Sequence, residues 1–231
     1  MSMTLNSVVP WGRSLDEYCK IFDLSPDISS KRIVSLADGP ASFNAELTSK
    51  GGKVISIDPI YQFDEEEIQK RFDESAETVI RQVVKTPENW VWSYHKGPED
   101  LLANRKNVLE LFLKDLSKGV EQGRYVYGSF PDISLESGKF DLALCSHFLF
   151  LYSDHFDYEF HIKSIREMLR LANDVRIFPL LTLVQDYSPY VDRVIAELEE
   201  EGYFCSIEKV DYELQKGGNK MLRITSASSS S

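Results

Sequence analysis

The chain has 231 residues, 42% of them hydrophobic, and a formal net charge of −11. That length suits one large α/β domain, or one domain carrying an insertion, rather than two full domains, and no apolar run approaches a membrane span. The acidic balance repels polyanions and no basic stripe offsets it, so nucleic acid and membrane are not expected as partners and a small molecule is expected ahead of a protein.

The opening Met1–Pro10 lacks the basic and long apolar regions of a signal peptide, and Cys19, Cys145 and Cys205 show no metal or disulfide spacing. A reduced, cytoplasmic setting with no metal centre is therefore expected. Ser14-Leu-Asp-Glu17 reads as a capping box ahead of Leu15, Tyr18 and Phe22, which predicts an N-terminal capping helix within 11–24. Trp11-Gly-Arg13 precedes it, with Trp11 a candidate hydrophobic staple. Ile33–Ala37 is an apolar run suited to a buried parallel strand, Gly39-Pro40 breaks it, and Ser42–Lys50 suits a crossover helix closed by Gly51-Gly52. Val54–Ile57 is the second strand and ends in Asp58.

A helical insertion spans 62–122. Ile68, Phe72, Val79 and Val83 recur at helical spacing, as do Leu101, Val108, Leu109, Phe112 and Leu116. Trp90-Val-Trp-Ser-Tyr-His95 lies between the two helices, as core or as a lid. Strands are predicted at Tyr125–Gly128, Phe140–Cys145 and Val175–Pro179, with helices over Phe156–Leu171 and Pro189–Leu198. Tyr203–Val210 and Met221–Ile224 close the chain as a hairpin. Residues 1–225 thus read as one domain and 226–231 as a disordered, low-complexity tail.

The first strand, turn and helix start bring backbone N–H groups to a helix N-terminus, where an anionic or nucleotide group is held. Asp58 follows Gly39 by about 20 residues, the spacing at which a strand-end carboxylate accepts from two ribose hydroxyls. His147, at the end of an apolar strand, titrates near neutrality and is a candidate acid/base or orienting group, with hydrogen-bonded packing as the bland alternative. His155 and His161 read as surface or capping residues.

Alternating β and α elements, the turn Ile33-Val-Ser-Leu-Ala-Asp-Gly-Pro-Ala41 and the closing hairpin resemble the class I S-adenosylmethionine-dependent methyltransferases over most of the chain. The resemblance implies an α/β fold: a Rossmann-like, mostly parallel seven-stranded sheet with helices on both faces, an antiparallel C-terminal hairpin and the helical insertion after strand two. It also implies S-adenosylmethionine as cofactor. Ala37, Asp38, Gly39 and Pro40 would line the methionine end, with Asp38 at the lip meeting the ammonium group and Arg13 holding the carboxylate. Asp58 would hold the ribose, Pro59 and Ile60 would lie against adenine, Ser129 and Phe130 would meet its edge, and Ser146 and His147 would face the methyl.

The match is incomplete. Only the middle glycine of the family's Gly-x-Gly-x-Gly remains, Ser35 stands where an acid is usual, and Ala37 and Ala41 replace glycines, a small loss if φ stays negative. Methyl transfer to a small-molecule or protein acceptor is the leading expectation. A non-catalytic module binding S-adenosylmethionine or S-adenosylhomocysteine is the alternative, and a nicotinamide oxidoreductase is disfavoured because Gly-x-Gly-x-x-Gly is lacking.

Overall fold

The computed structural model describes residues 9–226. Its strands are β1 (Arg32–Leu36), β2 (Lys53–Ile57), β3 (Tyr125–Val126), β4 (Leu142–Ser146), β5 (Asp174–Phe178), β6 (Tyr203–Lys209) and β7 (Lys220–Ser226). They form one seven-stranded sheet in the order β3-β2-β1-β4-β5-β7-β6. β1 to β5 pair in parallel, whereas β7 is antiparallel to both β5 and β6. This is the Rossmann-like sheet and terminal hairpin expected from the sequence. β7 runs through Ser226, paired with Tyr203, one residue into the predicted tail; residues 227–231 lie outside the described residues.

The apolar residues of each central strand alternate between two cores. Val34, Leu36, Ala143 and Cys145 pack on one face with the helices α5 (Tyr158–Leu171) and α6 (Val191–Glu200). Ile33, Val54, Leu142 and Leu144 pack on the other with α1 (Leu15–Ile21) and α2 (Phe43–Ser49). Period-two side-chain direction explains why these strands are apolar throughout: both faces are covered. The Ser14–Glu17 capping box forms at the start of α1.

The segment between β2 and β3 carries α3 (Glu65–Lys85) and α4 (Pro98–Glu121). Ile68, Phe72, Val79 and Val83 of α3 meet Leu101, Leu109, Phe112 and Leu116 of α4 in a third core, joined by Trp11, Ile60 and Trp90. Trp90 is core, its indole N–H donating to Thr86 Oγ1 at 3.0 Å. Among the described residues no helix is long and apolar enough to cross a membrane.

His161 departs from the sequence reading. It is fully buried, with Nδ1 2.7 Å from Asp157 O and Nε2 2.8 Å from Leu149 O, so it ties α5 to the segment after β4 rather than facing solvent.

Candidate functional site

Parallel pairing aligns the strand ends. Leu36 lies beside Ile57 and Ser146 beside Phe178, so the residues following β1, β2, β4 and β5 emerge on one rim. A cavity of about 620 Å³ occupies that rim. It is bordered by every predicted site residue except Pro40, from Arg13 and Ala37-Asp38-Gly39 through Asp58-Pro59-Ile60 and Ser129-Phe130 to Ser146-His147. Pro40 is buried and does not border it. A Cβ on Gly12 would stand 2.1 Å from the Pro40 carbonyl oxygen, so glycine is what lets the N-terminal segment lie directly on this turn and deliver Arg13 to the cavity.

Asp58 ends β2 with both carboxylate oxygens already oriented. The Gly39 N–H donates to Oδ2 at 2.9 Å and the Ile60 N–H to Oδ1 at 2.8 Å. Burial pushes its pKa up to about 6, against the lowering effect of these two amides. Each oxygen retains acceptor capacity for a further donor. Tyr61 braces the same turn by donating to Gly39 O at 2.8 Å.

Asp38 is not an open carboxylate at the lip. It is buried, and it accepts from the Tyr18 hydroxyl, from Ser35 Oγ and from Ser56 Oγ. Burial raises its pKa while these three hydroxyls oppose the rise. Ser35 stands where the resembled family has an acid, and the carboxylate reaches it from three residues further on. The net effect is to bind α1, β1 and β2 together beneath the turn.

The condition under which alanine is a small loss, a negative φ, is not met at Ala37, which has φ +52°. A β-carbon in the left-handed region costs about 1 kcal/mol, which accounts for a glycine preference at this place. Ala37→Gly is accordingly expected to raise unfolding stability by about 1 kcal/mol in urea melts. An unchanged or lower midpoint would contradict the strain. Ala41 is fully buried in the α1/α2 core and does not border the cavity.

Among the described residues Arg13 is held by one hydrogen bond, from its Nη1 to Trp11 O at 2.7 Å, while its Nε is buried without a partner. Burial and then the like charge of Arg105 lower its pKa to about 10, so it remains a cation at neutral pH. Arg105 itself is matched. Its two terminal nitrogens donate to Glu17 at 2.7 Å each, in a pair with both side chains fully buried. Tyr212 donates to the same carboxylate at 3.0 Å, and His95 Nε2 stands 3.6 Å from it. Burial would raise the Glu17 pKa, but Arg105, His95 and Arg13 hold it well below the usual carboxylate range. Glu17 is thus taken up by Arg105, and among the described residues no carboxylate forms an ion pair with Arg13.

His147 has φ +55° and donates its backbone N–H to Phe178 O at 2.6 Å, which turns the ring to the cavity at the end of β4. Its Nδ1 lies 2.9 Å from Ser146 Oγ. Desolvation, then Arg13 and Arg105, push its pKa well below the ordinary value, with Glu17 opposing, so the imidazole is uncharged. When Nδ1 carries its proton toward Ser146, Nε2 presents a lone pair.

Sequence reasoning missed Arg105 and Tyr212, which hold Glu17 behind the cavity, and the α3 residues Arg71, Glu74 and Ser75, which border it. Arg105 alone left a signal: it falls four residues after Leu101 and four before Leu109 on the apolar stripe of α4. No cluster of three or more His, Cys, Asp or Glu suited to a metal ion occurs among the described residues.

No family model matches the chain. It is 33% identical over 225 residues to the uncharacterized protein MJ0045 of Methanocaldococcus jannaschii, covering 96% of this chain and 98% of that one. Among solved structures it resembles the mitomycin 7-O-methyltransferase MmcR, with a TM-score of 0.50, 14% identity, and coverage of 92% of this chain and 54% of that one. It also resembles the magnesium protoporphyrin IX methyltransferase of Synechocystis PCC 6803, crystallised with bound SAM, at a TM-score of 0.49, 12% identity, and coverage of 92% and 78%. The chain belongs to the family of the Methanocaldococcus jannaschii protein, and its sheet order and terminal hairpin give it the class I S-adenosylmethionine-dependent methyltransferase fold.

Proposed function

We propose that the protein binds S-adenosylmethionine and transfers its methyl group to a small-molecule acceptor. The observation that carries this reading is the pairing, on one cavity, of a strand-end carboxylate preset by two backbone amides with an uncompensated guanidinium. Asp58 accepts from the two ribose hydroxyls with the lone pairs that Gly39 and Ile60 leave free. Arg13 takes the methionine carboxylate, offering the fork of donors such a group needs. Ile60 and Phe130 supply apolar walls for the base, and Ser129 a hydroxyl for its edge. Asp38 acts through the turn it braces.

The cofactor, when bound, supplies a methyl already activated on a sulfonium, so the protein's task is alignment and exclusion of water. Ser146 fixes the His147 ring, and Nε2 orients the acceptor and receives its proton. The second reading, a binding module without transfer, draws on the same histidine: two nearby arginines make its imidazole a weak base. A carboxylate on Arg13 offsets one of them, which favours catalysis once the cofactor is in place.

Calorimetry with S-adenosylmethionine, S-adenosylhomocysteine and NAD tests the binding step. Micromolar or tighter binding of both sulfur nucleotides, without NAD binding, is the expected result; silence with both rejects the proposal. Radiolabelled methyl is then expected to pass into the low-molecular-mass fraction of a cell extract, and label that stays on the cofactor favours the module.

A further inference from the structure

Two buried N–H donors beside the cavity have no acceptor among the described residues: Nε1 of Trp11 and Nε of Arg13. The two residues flank Gly12, which lays this segment on Pro40, and both border the cofactor cavity and the smaller cavity beside it. The Trp11 side chain is fixed. It is only 9% exposed and packs in the core of the insertion, its ring centroid 6.3 Å from that of Phe72. Its backbone is tied down as well, since the Trp11 N–H donates to Val9 O at 2.8 Å and the Val9 N–H to the Tyr152 hydroxyl at 3.0 Å. Packing of the ring therefore accounts for the side chain's position but not for its N–H. A buried indole N–H ordinarily finds an acceptor, as Trp90 in the same core finds Thr86 Oγ1.

The guanidinium beside it defines what that acceptor is. Nη1 of Arg13 is committed to Trp11 O at 2.7 Å, which leaves the Nε–Nη2 edge as the planar fork for a ligand. A carboxylate on that edge takes one N–H on each oxygen and keeps a lone pair on both, because an ionised carboxyl has about four acceptor sites and no proton of its own. One of those lone pairs is then available to the indole N–H. A carbonyl oxygen has too few lone pairs for all of these donors, and a hydroxyl or amine leaves the guanidinium charge unmatched.

We propose that the Trp11 indole N–H is a cofactor-binding group: together with the Nε–Nη2 edge of Arg13 it holds the methionine carboxylate of S-adenosylmethionine. This rests on the S-adenosylmethionine reading above. Trp11, Arg13 and His147 border the same cavity, so a carboxylate fixed there keeps the short chain to the sulfonium close to the end of β4. The ring of Trp11 belongs to the core of α3 and α4, so the same hydrogen bond ties the cofactor to the insertion.

Trp11→Phe keeps an aromatic ring and removes the N–H. Calorimetry is expected to show S-adenosylhomocysteine binding weakened about tenfold in this variant, the loss of one hydrogen bond to a charged group. Decarboxylated S-adenosylhomocysteine, which lacks only the carboxylate, is expected to bind the variant within about twofold of wild type, which also reports an intact fold. Trp90→Phe, which removes an indole N–H already paired within the protein, is expected to leave S-adenosylhomocysteine affinity unchanged. In nitrogen–proton correlation spectra of isotope-labelled protein, the indole signal missing from Trp11→Phe is expected to move downfield with S-adenosylhomocysteine and not with the decarboxylated analogue. Unchanged affinity in Trp11→Phe, or an indole signal that S-adenosylhomocysteine does not move, overturns the inference. An equal loss for both ligands, or an equal loss in Trp90→Phe, assigns the effect to packing and overturns it too. An equal shift with the decarboxylated analogue places the indole against another part of the ligand. Each of these results rejects this inference alone, whereas absence of S-adenosylhomocysteine binding to the wild-type protein rejects the cofactor reading and the inference with it.

Discussion

Arg105→Met is expected to lower unfolding stability by about 3–5 kcal/mol, because it strands the Glu17 carboxylate in a site with no access to water. A urea midpoint shifted at constant slope measures it. The double change Glu17→Gln with Arg105→Met is expected to recover part of the loss, since it removes both charges rather than one. A single-variant loss below about 1 kcal/mol would show that the pair is solvated or that Glu17 is neutral. The pH dependence follows in sign. Glu17 is held below its ordinary 4.5, so its contribution is fully present above that value and is lost as pH falls through the lower folded value. The pair also has a structural consequence. Glu17 belongs to α1, Arg105 to the insertion and Tyr212 to the connection before β7, so one carboxylate secures three separate parts of the chain around Arg13.

Asp58→Ala is expected to weaken S-adenosylhomocysteine binding by about 100-fold or more, since a hydrogen bond to a charged acceptor contributes about 1.5–3 kcal/mol and two are lost. Calorimetry reads the change directly; wild-type affinity in the variant would show that the ribose lies elsewhere. Its pKa of about 6 adds a pH signature. The ionised carboxylate is the better acceptor for two hydroxyls, so affinity is expected to fall as pH drops through about 6 and to level above it. Asp58→Asn is expected to abolish that dependence. For stability the sign is opposite to that of Glu17. A carboxyl whose folded pKa is raised from 3.8 takes up its proton earlier in the folded state, so its contribution declines as pH climbs from 3.8 to about 6.

The helices and strands were largely legible because their signals are local. The Ser14–Glu17 box, the stripes of α3 and α4 and the apolar runs of β1, β2 and β4 each concern neighbours within a few residues. Asp58 was legible for a related reason: the length of one βαβ unit sets how far beyond the turn the second strand ends. Backbone sign at Ala37 and the burial of His161 were not. Residue type alone does not reveal a left-handed φ, and a histidine in a helix's first turn looks solvent-facing until the segment after β4 is laid across it.

The sequence by itself determined the order of elements and the strand-end placement of Asp58 and His147, because each follows from spacing along the chain, while the cofactor class came from the resemblance of the first turn and the closing hairpin to the class I methyltransferases. Only the tertiary structure decided what Asp38, Glu17 and Arg13 do. Asp38 turns inward to Tyr18, Ser35 and Ser56, and Glu17 meets a guanidinium 88 residues away, which leaves Arg13 at the cavity without an ion pair among the described residues. The physical reason is that a charge is assigned its role by whichever opposite charge or donor shares its low-dielectric site, and that partner comes from a distant part of the chain.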